Sequence, residues 1–201
     1  MTAGAVVSQT TPWDGTSTRT VTIDYTDSFN SSGIAATYAY PTKITDPRGA
    51  VTDITYNVLG STTQIAYTPV SGLPDTPTVT FGYDDLGNRV SMDTAGVSEV
   101  AYAYDPLSRM TSETVNFYDL ANNLTIGYTY GLTGLKSITD PSGKEIEYAK
   151  DRAGRLTAVT GDAFGQNTTG TYASGIEYRA FGQVKQMDYN LSNGNSRIKL
   201  D

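Results

Sequence analysis

Tyr83-Asp84-Asp85-Leu86-Gly87-Asn88-Arg89-Val90 is the stretch that decides the fold, because it returns along the chain. It comes back as Tyr104-Asp105-Pro106-Leu107-Ser108-Arg109-Met110 and as Lys150-Asp151-Arg152-Ala153-Gly154-Arg155-Leu156. Weaker copies are Tyr56-Asn57-Val58-Leu59-Gly60, Tyr130-Gly131-Leu132-Thr133-Gly134 and Tyr178-Arg179-Ala180-Phe181-Gly182. The anchors at 56, 83, 104, 130, 150 and 178 lie 27, 21, 26, 20 and 28 residues apart. So loose a period fits hairpins with variable connections better than a rigid solenoid rung.

A second set of turns lies between these: Asp46-Pro47-Arg48-Gly49, Asp93-Thr94-Ala95-Gly96, Asp140-Pro141-Ser142-Gly143 and Asp162-Ala163-Phe164-Gly165. All read Asp-x-x-Gly. An aspartate at the first turn position accepts a hydrogen bond from the N–H two residues on. Proline at the second presets φ for a type I turn, and glycine at the fourth takes a positive φ without a Cβ clash. The turns at 131, 140, 151 and 162 are 9, 11 and 11 residues apart, leaving strands of about five to eight residues, the spacing of an all-β sheet, barrel or meander.

The segments between turns alternate. Leu124, Ile126, Tyr128 and Tyr130 are interleaved with Thr125, Gly127 and Thr129; Val79, Phe81 and Tyr83 with Thr80 and Gly82. Period-2 patterning turns one face to a core and the other to solvent. The strands leaving the turns break the rule, with apolar pairs three apart at Leu135/Ile138, Leu156/Val159 and Val184/Met187. A bulge just after the turn would return both side chains to one face. Residues 68–78, with three prolines, and 117–123 read as surface loops.

Composition narrows the function. The 201 residues include 20 glycines and 15 tyrosines, with only 17% charged. Absence of cysteine rules out disulfides and thiolate metal sites, and absence of histidine removes the commonest general base and metal ligand. The net charge of −7 argues against a nucleic-acid partner. No stretch is apolar enough for membrane insertion as a helix, and residues 1–10 lack the basic start and apolar run of a signal peptide. No cofactor is expected, and the chain reads as a structural protein, not an enzyme.

Repeated Tyr-Asp-x-x-Gly-Arg interleaved with Thr-Asp-Pro-x-Gly resembles the YD repeats of bacterial Rhs and wall-associated proteins, the C component of Tc toxins and the animal teneurins. The resemblance covers residues 41–190, whereas residues 1–40 match poorly, although Val21, Ile23 and Tyr25 alternate as a strand would. It divides the chain into an N-terminal β segment, 1–40, and the hairpin repeats, 41–201. It implies antiparallel hairpins joined into one curved, spiralling sheet, part of a shell that encloses or displays a cargo or toxin domain. It also implies a secreted or cell-surface location. The motif positions are Tyr56, Gly60, Tyr83, Asp84, Gly87, Arg89, Tyr104, Asp105, Arg109, Tyr130, Gly134, Asp151, Gly154, Arg155, Tyr178 and Gly182. Several positions depart from the pattern: Ser108 stands for the turn glycine, Lys150 for the tyrosine, and Asn57, Gly131 and Arg179 for the aspartate. The plug region and cleavage aspartate of toxin-releasing members have no counterpart, so the resemblance assigns no cleavage residues.

The candidate chemistries each face a simpler account. Asp84 beside Asp85 could be a calcium or catalytic pair, yet turn capping explains the position, and no closely spaced run of oxygen ligands appears. The tyrosines could stack on carbohydrate, the basis of an alternative reading as a cell-surface binding module; packing across hairpins explains them as well. Arg89, Arg109 and Arg155 could line a polar cavity or pair with a turn aspartate. The array runs through the hairpin dipeptide Asn193-Gly194 to Ile198 and Leu200. Its terminal strands are therefore expected to pair with further repeats of a longer parent chain or with other copies of the chain.

Overall fold

The computed structural model describes residues 8–12, 18–25, 40–162, 169–191 and 194–199. The chain forms β1 (Ser8–Pro12), β2 (Thr18–Asp24), β3 (Lys43–Thr45), β4 (Val51–Tyr56), β5 (Thr62–Thr68), β6 (Val79–Tyr83), β7 (Arg89–Thr94) and β8 (Ser98–Tyr104). It continues with β9 (Met110–Phe117), β10 (Leu124–Gly131), β11 (Gly134–Thr139), β12 (Glu145–Lys150), β13 (Leu156–Asp162), β14 (Thr169–Tyr178), β15 (Val184–Leu191) and β16 (Gly194–Lys199). Strand order in the sheet is chain order, so the topology is an all-β antiparallel meander. The chain divides into two compact units, Met1–Tyr102 with Val115–Asn123, and Ala103–Thr114 with Leu124–Asp201.

Alternation sorts side chains by face within each unit. In the first, Ile54, Ile65 and Val79 follow one another across β4, β5 and β6, and Phe81, Met92 and Val100 do so across β6, β7 and β8. The other face carries Gln64, Thr80, Asp93 and Glu99 in register. In the second unit, Tyr128, Ile138 and Ile146 align, as do Tyr148, Val159, Ala173 and Tyr189. Behind them run Ser137, Glu147, Thr160 and Thr171. Yet Val100 and Ala173 are the only buried apolar side chains among the described residues. An apolar sheet face normally buries itself against a second layer. Within each unit here the face stays half-covered.

The turns explain why the hairpins form. At Asp46, Asn57, Asp84, Asp105, Asp140 and Asp151 the side-chain Oδ1 accepts the N–H groups two and four residues on, at 2.8–3.0 Å. The backbone carbonyl of the same residue accepts the N–H three residues on. One side chain thus satisfies the donors that a reversing chain leaves unpaired. The fourth residue has φ between +58° and +92° in every case, glycine at five turns and Ser108 at the sixth. Arg179 opens the same backbone turn, closed by Gly182 N–H on its carbonyl.

The bulges fall at one place. In the hairpins anchored at Tyr56, Tyr83, Tyr130, Lys150 and Tyr178, the anchor pairs with Thr62, Arg89, Leu135, Leu156 and Val184. The next residue of each outgoing strand (Thr63, Val90, Lys136, Thr157 or Lys185) has no counterpart across the ladder. Leu135 therefore lies opposite Tyr130 and Ile138 opposite Tyr128, on one face despite their spacing of three.

One predicted turn is corrected. Asp93 does not open a turn; it sits inside β7, between Thr80 and Glu99. The chain reverses one residue later, where Val97 N–H donates to the Thr94 carbonyl and Gly96 takes φ +72°. Pairing of Thr94 with Ser98 leaves a three-residue loop, Ala95-Gly96-Val97, and the Asp93 carboxylate accepts the Tyr118 hydroxyl at 2.8 Å instead of capping. At the second Asp-Gly site, Asp162 ends β13, and residues 163–165, including Gly165, lie outside the described residues. The Asn193 position lies outside them too, although Leu191 pairs with Gly194; Leu200 likewise.

A Cβ at Gly87 would meet nothing within 4 Å, so only the backbone resists substitution there. Gly87→Val should cost about 1–2 kcal/mol or more, since a β-branched residue strongly disfavours positive φ. Ser108→Gly should be neutral or stabilising, because Ser108 already holds φ +58°. Thermal melts of both variants check the pair; an unchanged melting temperature for Gly87→Val would contradict the turn.

Candidate functional site

The repeat motif builds a contact between successive hairpins. Asp105 spends Oδ1 on its own turn and offers Oδ2 to Arg109, whose Nε and Nη2 approach at 2.7 and 2.6 Å. Asp151 does the same for Arg155, at 2.8 and 2.7 Å. Each held guanidinium then lies over the tyrosine ring of the next hairpin: Arg109 over Tyr130 at 4.6 Å and Arg155 over Tyr178 at 4.9 Å. The tyrosine hydroxyl completes the link. Tyr130 donates to the Met110 carbonyl at 2.7 Å and Tyr178 to the Leu156 carbonyl at 2.8 Å. Tyr83 donates likewise to the Thr62 carbonyl at 2.7 Å. In all three the acceptor lies six residues beyond the anchor of the preceding repeat. Tyr56 reaches the Pro41 carbonyl, with its ring 5.2 Å from that of Tyr40.

Tyrosine, aspartate, glycine and arginine therefore have separate duties. Aspartate folds the turn and orients the arginine; glycine permits the reversal; arginine supplies a flat cation; tyrosine offers a ring to the cation and a donor to the carbonyl. The pairwise terms are small. A cation over an exposed ring contributes roughly 0.5–1 kcal/mol, and a net hydrogen bond about 1 kcal/mol. Repetition makes them matter.

Two departures keep the contact by other means. Lys150 stands where the tyrosine belongs, and its Nζ donates to the Thr133 carbonyl of the preceding turn at 3.1 Å. The preceding turn is the two-residue loop Leu132-Thr133 between Gly131 and Gly134, which has no arginine to stack. Asn57 replaces the aspartate and still accepts both backbone N–H groups, at 3.0 and 2.9 Å. The arginines also separate. Arg89 sits one residue later than Arg109 and Arg155 do in their repeats, so Asn88 takes the second oxygen of Asp84 at 2.9 Å. Arg89 instead lies over Tyr102 at 4.9 Å and Phe81 at 5.8 Å. Tyr104 closes β8 and leads into the Asp105 turn.

The electrostatics follow the hydrogen bonds. Asp105 is held below the usual carboxylate range, first by the Arg109 side chain and then by backbone donors. Asp151 is lowered first by the Arg155 backbone N–H and then by its guanidinium. Asp84, Asp46 and Asp140 are lowered first by the side chains of Asn88, Arg48 and Ser142. The Tyr118 hydroxyl is pushed up, first by its bond to Asp93. Among the described residues no three of His, Cys, Asp or Glu gather as metal ligands, and no helix is long and apolar enough to cross a membrane.

Two outcomes are expected. Tyr130→Phe should cost about 0.5–1.5 kcal/mol by leaving the Met110 carbonyl without its donor; a double-mutant cycle of Tyr130→Leu with Arg109→Gln, which removes ring and cation, should return a positive coupling of about 0.5–1 kcal/mol. Zero coupling would separate the two groups. The depressed aspartates bind fewer protons folded than unfolded, so they stabilise above the unfolded value near 4 and lose that effect as pH falls through their lower folded values. The melting temperature should drop between about pH 5 and pH 2. Asp105→Asn with Asp151→Asn should flatten that drop while keeping the turns, as Asn57 does.

A family model described as the teneurin YD-shell matches residues 18–163. Among solved structures the chain resembles the crystal structure of TcdB2-TccC3, with a TM-score of 0.67 and 16% identity over 92% of this chain and 10% of that one. The crystal structure of TcdB2-TccC3 without its hypervariable C-terminal region gives the same TM-score at 17% identity, over the same shares. The chain thus spans about a tenth of the length of those solved chains. No curated protein sequence matches. With the family model covering well over half of the 201 residues, on a meander of Tyr-Asp turns, the chain belongs to the teneurin YD-shell family.

Proposed function

We propose that the chain is a segment of shell wall whose apolar face lines an enclosed space and whose polar face meets solvent. Membership of a shell-building family makes it a structural scaffold. The enclosure of a cargo or toxin domain, an extracellular setting and the supply of further repeats by a longer parent chain are our inferences. The observation that carries the reading is the two-sided sheet of the first unit: Ile54, Ile65, Phe81 and Met92 on one side, Gln64, Thr80, Asp93 and Glu99 on the other, with almost no apolar burial. An antiparallel sheet of this kind is stable when something covers one face. Catalysis has little support. The chain has neither histidine nor cysteine, and the conspicuous aspartates are occupied with turns. The motif tyrosines 56, 83, 130 and 178 spend their hydroxyls on backbone carbonyls, which favours the scaffold over a carbohydrate-binding surface.

The lack of cysteine permits a clean test. Gln64→Cys and Ile65→Cys, adjacent on β5 and on opposite faces, are introduced separately into the full-length parent protein. A charged maleimide should label residue 64 quickly and residue 65 at least about tenfold more slowly, because closure of the wall excludes the reagent from the apolar side. Equal rates in a natively folded protein would defeat the enclosed-face reading.

A further inference from the structure

The two rims of the second unit differ in a way that turn chemistry does not require. In an antiparallel meander every tyrosine-anchored turn falls on one rim, and the turns after β11 and β13 fall on the other. Turn apices favour polar residues. The tyrosine-side rim instead presents Leu107 at 72% exposure, and Phe181 and Leu132 fully exposed. The opposite rim has Ser142 at the equivalent apex. A single exposed apolar residue needs no explanation, but recurrence at three of the four tyrosine-side turns of one rim does.

The charges divide the same way. Phe181 follows Arg179 in its turn, and the neighbouring turn carries Arg152 and Lys150 as well as the Asp151–Arg155 pair. On the opposite rim a groove of about 340 Å³ is lined by the apolar Ile138, Ile146 and Tyr172 and by Asp140, Asp162, Ser142 and Lys144. Glu145 adds to the acidic side. An apolar knob flanked by cations thus stands on one rim, and an apolar groove with acidic side chains in its lining on the other.

We propose that these rims are complementary docking surfaces: the Phe181 apex of one chain inserts into the Ile138–Ile146–Tyr172 groove of a second copy, with Arg179 facing Asp162. Apolar burial supplies affinity and the opposed charges set register and polarity. The contact is heterologous, so it generates rings or filaments in place of a two-fold dimer. Adjacent apices are two strands apart, so the rims can slip only in steps of about 9.5 Å. The groove lies at the rim end of the apolar face, beside the 140–143 turn of the second unit, whereas labelled residues 64 and 65 belong to the first, so failure of either test leaves the other reading standing.

Sedimentation velocity of the full chain over a micromolar concentration series is the test, with circular dichroism confirming that each variant is folded. Wild type should self-associate. Phe181→Ser, Arg179→Glu and Asp162→Arg should each weaken association by at least about tenfold. An equimolar mixture of the Arg179→Glu and Asp162→Arg chains should recover it, because each rim then meets an opposite charge. Pairing through terminal strands would ignore these substitutions. Wild type monomeric throughout, association unchanged in Phe181→Ser, or no recovery in the mixture would each overturn the proposal.

Discussion

A hydroxyl that reaches back to the carbonyl of the previous hairpin is the constraint on which the rest depends. A sheet without a second layer cannot hold its strands in place by core packing, and in each unit here almost no apolar side chain is buried. Backbone ladders hold neighbouring strands but tolerate slippage where neither face is deeply buried. Tyr83, Tyr130 and Tyr178 remove that freedom, because each is fixed to one carbonyl on the hairpin before it. At Tyr130 and Tyr178 an arginine also lies over the ring, held by the aspartate of its own turn. There turn, stack and latch are successive parts of one device, whereas Tyr83 latches without the stack.

Much of this was legible in residue order because the turns are local. A six-residue motif contains its own hydrogen-bond partners, so Asp84 with Gly87 or Asp151 with Gly154 can be read without knowing what lies across the sheet. The bulge was legible for the same reason: Leu135 and Ile138 cannot share a face unless an extra residue intervenes. Asp93 misled because its four-residue pattern is identical to a capped turn, while pairing of Thr94 with Ser98 moves the reversal along by one. Arg89 misled because a one-residue offset hands the role of Arg109 to Asn88. The latch itself was invisible, since its acceptors are backbone carbonyls some twenty residues away, which carry no residue identity.

The substitutions within the motif show which parts are chemical and which geometric. Asn57 keeps both backbone hydrogen bonds, so the cap needs an oxygen and not a charge. Lys150 keeps a donor to the preceding turn, so the latch needs reach and a proton, with the ring dispensable where no arginine waits to stack. Ser108 keeps the positive φ, so there the glycine is a matter of strain. A pattern that degenerates while each physical requirement is met is how a repeat can diverge and still propagate one sheet.

The latches also have a direction. Each runs from a later hairpin to an earlier one, across 20, 21 or 22 residues. A chain emerging from the ribosome therefore completes every acceptor before its donor exists, and each hairpin can settle on a finished predecessor as soon as it appears. Contacts of such short sequence separation carry little loop-closure entropy and fold quickly for a β protein. Growth resembles crystallisation along one axis: nucleation is needed once, and addition thereafter is local. A very large sheet can then be made without the long-range search that ordinarily makes big β structures slow and prone to aggregate.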